Sequence, residues 1–159
     1  MIQRIQTVYL LLVALLSGLT LAFDVALFRL GDEVVYRYSI LKIVAEDGSA
    51  DIVPGNYALQ LGLIMLIVSL SIFTISRYKH RKSQLKLGAI NYLLLAILII
   101  NSYFSVENTL PLILENGKEL SPIYYIGFYL PIAAVSFQFL ANRGIKKDEE
   151  LVKSVERLR

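Results

Sequence analysis

The 159-residue chain has no cysteine, one histidine and four prolines, and only 18% of its residues are charged. Without cysteine there is no disulfide, no thiolate metal ligand and no thiol nucleophile. The one histidine, His80, stands among Arg77, Lys79, Arg81 and Lys82. A zinc site needs several convergent ligands, and positive neighbours oppose it. Also missing are a GxSxG elbow, an HExxH pair, a phosphate-binding P-loop and a dinucleotide fingerprint, so neither an enzyme nor a cofactor is expected. The shortage of charge is the most informative absence. An ordinary domain is roughly 25% charged and 45–50% apolar, whereas this chain is 56% hydrophobic, with a mean hydropathy of +0.60.

What is present is arranged in blocks. Four charge-free windows, Ile5 to Phe23, Ile52 to Ser76, Leu87 to Val106 and Leu120 to Asn142, hold 19, 25, 20 and 23 residues. A helix rises about 1.5 Å per residue and needs roughly 20 residues to cross a ~30 Å hydrocarbon layer. The expectation is an all-α membrane fold, an antiparallel four-helix transmembrane bundle occupying residues 1–142. Its spans fall at about 5–23, 57–76, 87–104 and 122–142, joined by outer loops 24–56 and 105–121 and a short basic inner loop from Arg77 to Lys86. Residues 143–159 form a separate basic tail.

Charge then sets orientation. The N-terminus, the Arg77–Lys86 loop and the tail together carry a net charge of +8, while the two remaining loops carry −5. Lys and Arg collect on the cytoplasmic side of short loops, which places both termini in the cytoplasm. The pI near 9.1 is thereby explained by anionic lipid, and no nucleic-acid partner is required. The first window exceeds the ~7–15 apolar residues of a cleavable signal and ends in Leu21-Ala22-Phe23-Asp24 without a small-x-small site, so it is read as an uncleaved span.

The loops are rich in strand formers. Ala26–Leu30 and Val34–Ser39 flank Gly31-Asp32-Glu33 as one hairpin, and Ile40–Val44 and Ala50–Val53 flank a turn at Asp47-Gly48 as another. Asn116-Gly117 marks a third hairpin over Leu112–Leu120, and together the two outer loops predict a small β-rich periplasmic cap. The acids of the first loop, Asp24, Asp32, Glu33, Glu46, Asp47 and Asp51, match no EF-hand spacing and suit turns. Tyr57, Tyr103, Phe104, Tyr124, Tyr125, Phe128 and Tyr129 lie at comparable depth and suit an interfacial aromatic belt. Pro131 inside the fourth window predicts a kink.

No ionisable residue lies inside the windows, which argues against proton coupling. Four neutral polar residues, Gln60, Asn91, Asn101 and Gln138, are candidates for interhelical hydrogen bonds, each worth about 0.6 kcal/mol on average. In the tail, Leu151, Val152, Val155 and Leu158 form one stripe of a short amphipathic helix that starts near the acidic Asp148. With Arg143, Lys146 and Lys147 they make a surface for lipid or a protein partner.

The opening Met1-Ile2-Gln3-Arg4-Ile5-Gln6-Thr7-Val8-Tyr9-Leu10-Leu11-Leu12 and the closing Ala141-Asn142-Arg143-Gly144-Ile145-Lys146-Lys147-Asp148-Glu149, followed by Leu151-Val152-Lys153-Ser154 and Arg157-Leu158-Arg159, are similar to the two ends of a Bacteroidota membrane family. That family is known as domain of unknown function 4293. Gly144 stands where the family pattern has Ala. The resemblance implies a multi-pass protein of a bacterial inner membrane and carries no activity and no functional residues. The expected role is a non-enzymatic accessory or scaffolding subunit of a membrane complex, with membrane lipids and a protein as partners. The alternative is a small transporter or lipid-binding protein that uses the four polar span residues.

Overall fold

A computed structural model describes residues 2–31, 33–48, 51–78, 80–113 and 120–157, leaving aside the side chains of 2–4, 110–113, 153 and 155–157. The chain order is α1 (Ile2–Leu19), β1 (Ala26–Leu30), β2 (Glu33–Tyr38), β3 (Ile43–Ala45), β4 (Asp51–Ile52), α2 (Tyr57–Ser76), α3 (Arg81–Ile113), β5 (Ser121–Tyr124) and α4 (Ile126–Arg157). α1 packs on α2 and α4, and α3 packs on the same two helices.

The helices share one rule of construction. Buried positions recur at alternating steps of four and three: Gln6, Leu10, Val13, Ser17 and Thr20 in α1, and Gln60, Ile64, Ile67, Ser71 and Thr74 in α2. In α3 they are Gln84, Gly88, Asn91, Leu95, Leu98, Ser102, Ser105 and Thr109, and in α4 Gly127, Pro131, Ala134, Gln138, Ala141, Ile145 and Asp148. A seven-residue repeat keeps one seam facing its neighbours when helices wind gently around one another. Small and polar residues fill much of these seams, which lets backbones approach closely. Large apolar side chains point the other way: Met65 is 61% exposed and Leu93 59%, and Leu11, Leu15, Ile72, Ile100 and Phe104 are similarly outward.

The strands form one antiparallel sheet in the order β4-β3-β2-β1-β5. Gly31 and Gly48 take positive φ of 63° and 71° at the two hairpin turns, a conformation that glycine adopts without steric cost. β1 is central enough to pair on both sides, Ala26 facing Tyr38 in β2 and Tyr124 in β5. The fully buried Phe28, Tyr38, Ile40 and Ile43 join Val13, Ile64, Leu95, Leu98 and Val106 in one core, so the sheet closes one end of the helices. The junction is tight where α4 begins: the Gly127 amide donates to the Asp24 carbonyl at 2.8 Å, and the Tyr125 amide to that of Val25 at 2.8 Å.

These observations correct the expected architecture. A four-helix transmembrane bundle does not fit, because among the described residues only two helices, Tyr57–Ser76 and Arg81–Thr109, are long and apolar enough to cross a membrane. The apolar part of α1, Ile5–Leu19, is about 22 Å long at 1.5 Å per residue, short of a ~30 Å hydrocarbon layer. In α4 the apolar half carries Gln138 and Asn142 and then runs into Arg143, so its apolar stretch is diluted. Nor is the tail a separate amphipathic helix. α4 continues unbroken through Asn142 to Arg157, because its buried seam passes Gln138, Ala141, Ile145 and Asp148 without a change of phase. α3 likewise begins at Arg81 and runs to Ile113, taking in most of the expected basic loop and the first two residues of the expected third hairpin. The rest of that hairpin, including Asn116-Gly117, lies outside the described residues, and β5 pairs with β1 instead.

Gly127 shows how little slack the junction has. A Cβ there would lie 2.6 Å from the Asp24 carbonyl oxygen and 2.8 Å from that of Phe23, both backbone atoms, whereas at Gly62 it would meet nothing within 4 Å. Overpacking of this kind costs about 1–3 kcal/mol, while Gly to Ala at an open helical site gains up to about 1 kcal/mol. Gly127→Ala should therefore lower the thermal unfolding midpoint in mild detergent and Gly62→Ala should hold or raise it. Equal midpoints for the two variants would contradict this docking geometry.

Candidate functional site

The end opposite the sheet carries a half-open cleft of about 290 Å³ between the start of α1, the α2–α3 turn and the far half of α4. Its polar walls are Gln6, Thr7, Tyr78, Arg81, Gln84 and Asp148, set over Leu10, Ile75 and Ile145. Hydrogen bonds from Gln6, Arg81 and Gln84 help to hold it. The Gln6 Nε2 amide donates to the Asp148 Oδ2 carboxylate at 2.7 Å, the Arg81 guanidinium to the Asp148 backbone carbonyl at 2.8 Å, and the Gln84 Nε2 amide to the Thr74 carbonyl at 2.9 Å. Asp148 is only 7% exposed. A carboxylate so covered needs a hydrogen-bond partner; Gln6 supplies it, while Arg81 holds the backbone carbonyl of the same residue. Gly144, one turn earlier, makes room for this, since a Cβ there would stand 3.0 Å from Gln6 Cγ.

A second polar group crosses the middle of the helices. The Asn91 Nδ2 amide donates both to Ser71 Oγ and to Gln138 Oε1, each at 2.9 Å, and the Gln138 Nε2 amide donates to Asn142 Oδ1 at 2.9 Å. One α3 side chain thus ties α2 to α4, and Gly88 leaves the space that Asn142 fills. A third group lies under the sheet, where Asn56 and Gln60 both donate to the Ser105 hydroxyl. Tyr38 is buried beside it. Burial pushes the Tyr38 phenol above its ordinary pKa, and Ser105 and Gln60 offset part of that rise.

Aromatic rings continue along this end, with Tyr103 stacked on Tyr124 at 5.9 Å and Phe128 4.5 Å beyond. The Tyr124 pKa is pushed up to about 12, first by burial and then by the Glu107 carboxylate that faces it. Chemically, these groups tie the elements to one another. Among the described residues the cleft is lined by one carboxylate, one guanidinium, neutral amides and hydroxyls. Among the described residues no cluster of three or more His, Cys, Asp or Glu could hold a metal ion.

Residues 2–158, practically the whole chain, match a known protein family. The chain belongs to the family described as Domain of unknown function (DUF4293). No curated protein matches it. The family description names no activity, so the residues themselves have to carry the reading.

In this DUF4293 chain the four neutral polar residues expected to bridge helices separate into three environments. Asn91 and Gln138 are bonded to each other, Gln60 belongs to the group under the sheet, and Asn101 makes no side-chain bond among the described residues, its buried Oδ1 unpartnered. Of the proposed tail surface, Leu151, Val152, Arg143, Lys146 and Lys147 are exposed on α4. The side chain of Val155 and all of Leu158 lie outside the described residues. Reading the sequence alone misses Gln6, Arg81, Gln84 and Asp148. The available signal was the spacing of Asp148 seven residues after Ala141 and ten after Gln138, which puts it on the buried seam.

The middle group permits a sharp comparison. Asn91→Ala removes two interhelical bonds at about 0.6 kcal/mol each and should lower unfolding free energy in mild detergent by roughly 1 kcal/mol. Asn101→Ala removes none and should stay within about 0.5 kcal/mol of the parent. A larger loss at Asn101 than at Asn91 would overturn the assignment of Asn91 as the tie.

Proposed function

We propose that this chain is an integral membrane protein of non-catalytic kind, an accessory or scaffolding subunit of a cytoplasmic-membrane assembly. α2 and α3 cross the bilayer as an antiparallel pair. The sheet stands on the outer side and the basic α2–α3 turn on the cytoplasmic side, with α1 and α4 packed against the pair. The observation that carries this reading is the inverted distribution of side chains, with Gln60, Ser71, Asn91 and Gln138 fully buried while Met65, Leu66, Ile72, Phe73, Leu93 and Ile100 are exposed. A water-soluble domain hides its large apolar residues and leaves few contiguous apolar patches outside. In hydrocarbon the cost is reversed, because an unpaired polar group is expensive there and an exposed Leu is not.

The polar span residues support tying over transport. Asn91 and Gln138 spend their amides on each other and on Ser71 and Asn142, so they hold helices together. Charge supports the orientation, since the segments 1–4, 77–86 and 143–159 carry a net +8 in sequence while the two loops 24–56 and 105–121 carry −5. A protein partner is assigned to the exposed far end of α4, where Leu151 and Val152 lie beside charged residues.

The absence of cysteine makes a direct test clean. Lys42→Cys, in the β2–β3 turn of the sheet, and His80→Cys, in the α2–α3 turn, are both exposed positions. In intact cells a membrane-impermeant maleimide should label Lys42→Cys alone, and His80→Cys should react only after permeabilisation. Alkaline carbonate should leave both variants in the membrane pellet. Equal labelling of the two positions, or release into the carbonate supernatant, would contradict the reading.

A further inference from the structure

Beside α4, on its contact with α3, runs a groove of about 430 Å³ lined by Leu85, Ala89, Phe139, Asn142, Arg143 and Lys146. Its two ends differ in chemistry. Arg143 and Lys146 are exposed at the end nearest the α2–α3 turn, and neither is held in an ion pair among the described residues. The segments 81–86 and 143–147 that meet there contain six Lys and Arg and no Asp or Glu. Away from that end the floor is apolar. Ala89, one turn beyond Leu85, leaves a shallow trough, and Phe139, Ile90 and Leu93 extend it as exposed apolar surface toward the middle of the helices.

We infer that this groove binds an anionic phospholipid, its phosphate between Arg143 and Lys146 and one acyl chain along Ala89 and Phe139. The inference rests on the membrane reading above and deepens it by naming a lipid class and a seat. Charge complementarity selects the occupant: two cations at the head of an apolar trough match a negative headgroup on a hydrocarbon tail. A zwitterionic lipid gains less from the same pair, and a peptide helix would bury the cations against nothing on this chain that neutralises them. Continuity with the exposed apolar face of α3 gives the tail a path that stays in hydrocarbon.

The chain has no tryptophan, so Phe139→Trp provides a single fluorescent reporter in the full-length protein reconstituted into vesicles. Phosphatidylcholine vesicles carry a minor fraction of either brominated phosphatidylglycerol or brominated phosphatidylcholine. The anionic quencher should act more strongly at Phe139→Trp, and Leu66→Trp on α2 should show no such preference. Arg143→Gln and Lys146→Gln should each weaken the preference about five-fold and together roughly thirty-fold, as expected for cations near an anionic headgroup. Ala89→Phe, which fills the trough and keeps the charges, should abolish it. Equal quenching by the two lipids at Phe139→Trp, or a preference that survives both charge removals, would overturn the lipid seat. Quenching at Leu66→Trp with none at Phe139→Trp would show a protein covering the groove, which also overturns it. Quenching at neither position would remove the membrane reading itself.

Discussion

Four helices carry the same seven-residue repeat of buried positions, and much of what fills it is small or polar. That constraint governs the rest of the structure. Small residues let the backbones approach closely, so the amides share the seams with a limited set of aliphatic groups, Leu10, Ile64, Ile67, Leu95, Leu98 and Ile145, while many other Leu, Ile and Phe side chains face outward. An inward amide has to find a partner on another helix, because a buried polar group left unpaired costs about 1–3 kcal/mol. Asn91 meets this demand with its Nδ2, which donates to both Ser71 and Gln138, and Gln6 with its Nε2, which donates to Asp148. The positions of the polar groups follow from the repeat, and the cleft at one end is the place where the repeat ends and water can enter.

The sheet depends on the same arrangement at the other end. β1 pairs with β2 on one side and β5 on the other, so segments more than 80 residues apart in the chain join one sheet. Its apolar face, with Phe28, Tyr38 and Ile43, lies on the helix ends. The Arg37–Glu46 pair, at 2.7 Å, is exposed on the outside; Glu46 is held below its usual carboxylate range by the hydrogen bond from Arg37. An exposed pair of this kind contributes little to stability in water. Its place is to fix β2 against the β3–β4 turn, while the burial beneath the sheet supplies the attachment.

How much of this was legible in the sequence follows from what each signal measures. The two hairpins of the first loop are read correctly because turn chemistry is local, and Gly31 and Gly48 do take the positive φ that their turns require. α2 is also read within a residue, because its charge-free window and its helix end together at Ser76. α3 and α4 are misjudged for a common reason: charge ends an apolar stretch, but it does not end a helix. Arg81, Lys82 and Lys86 are good helix formers, and Asp148-Glu149-Glu150 looks like a helix start only until Asp148 is seen on the buried seam. The span count fails on the same equation of window with membrane-crossing helix. In the site, Gln60, Asn91 and Gln138 were recognisable as polar residues in apolar surroundings, whereas Asn101 shares their composition but not their seam. Gln6 and Asp148 meet across 142 residues of chain, and no local pattern announces such a pair.

On the proposed arrangement, the outward apolar face of α2 and α3 meets hydrocarbon. A nitroxide attached at Met65→Cys or Leu93→Cys in vesicles tests it through collision rates with oxygen, which concentrates in hydrocarbon, and with a water-soluble nickel chelate, which is excluded from it. Both positions should collide frequently with oxygen and rarely with the chelate, unlike a label at Lys42→Cys in the β2–β3 turn of the sheet. Ready access of the chelate to Met65→Cys and Leu93→Cys would contradict the account.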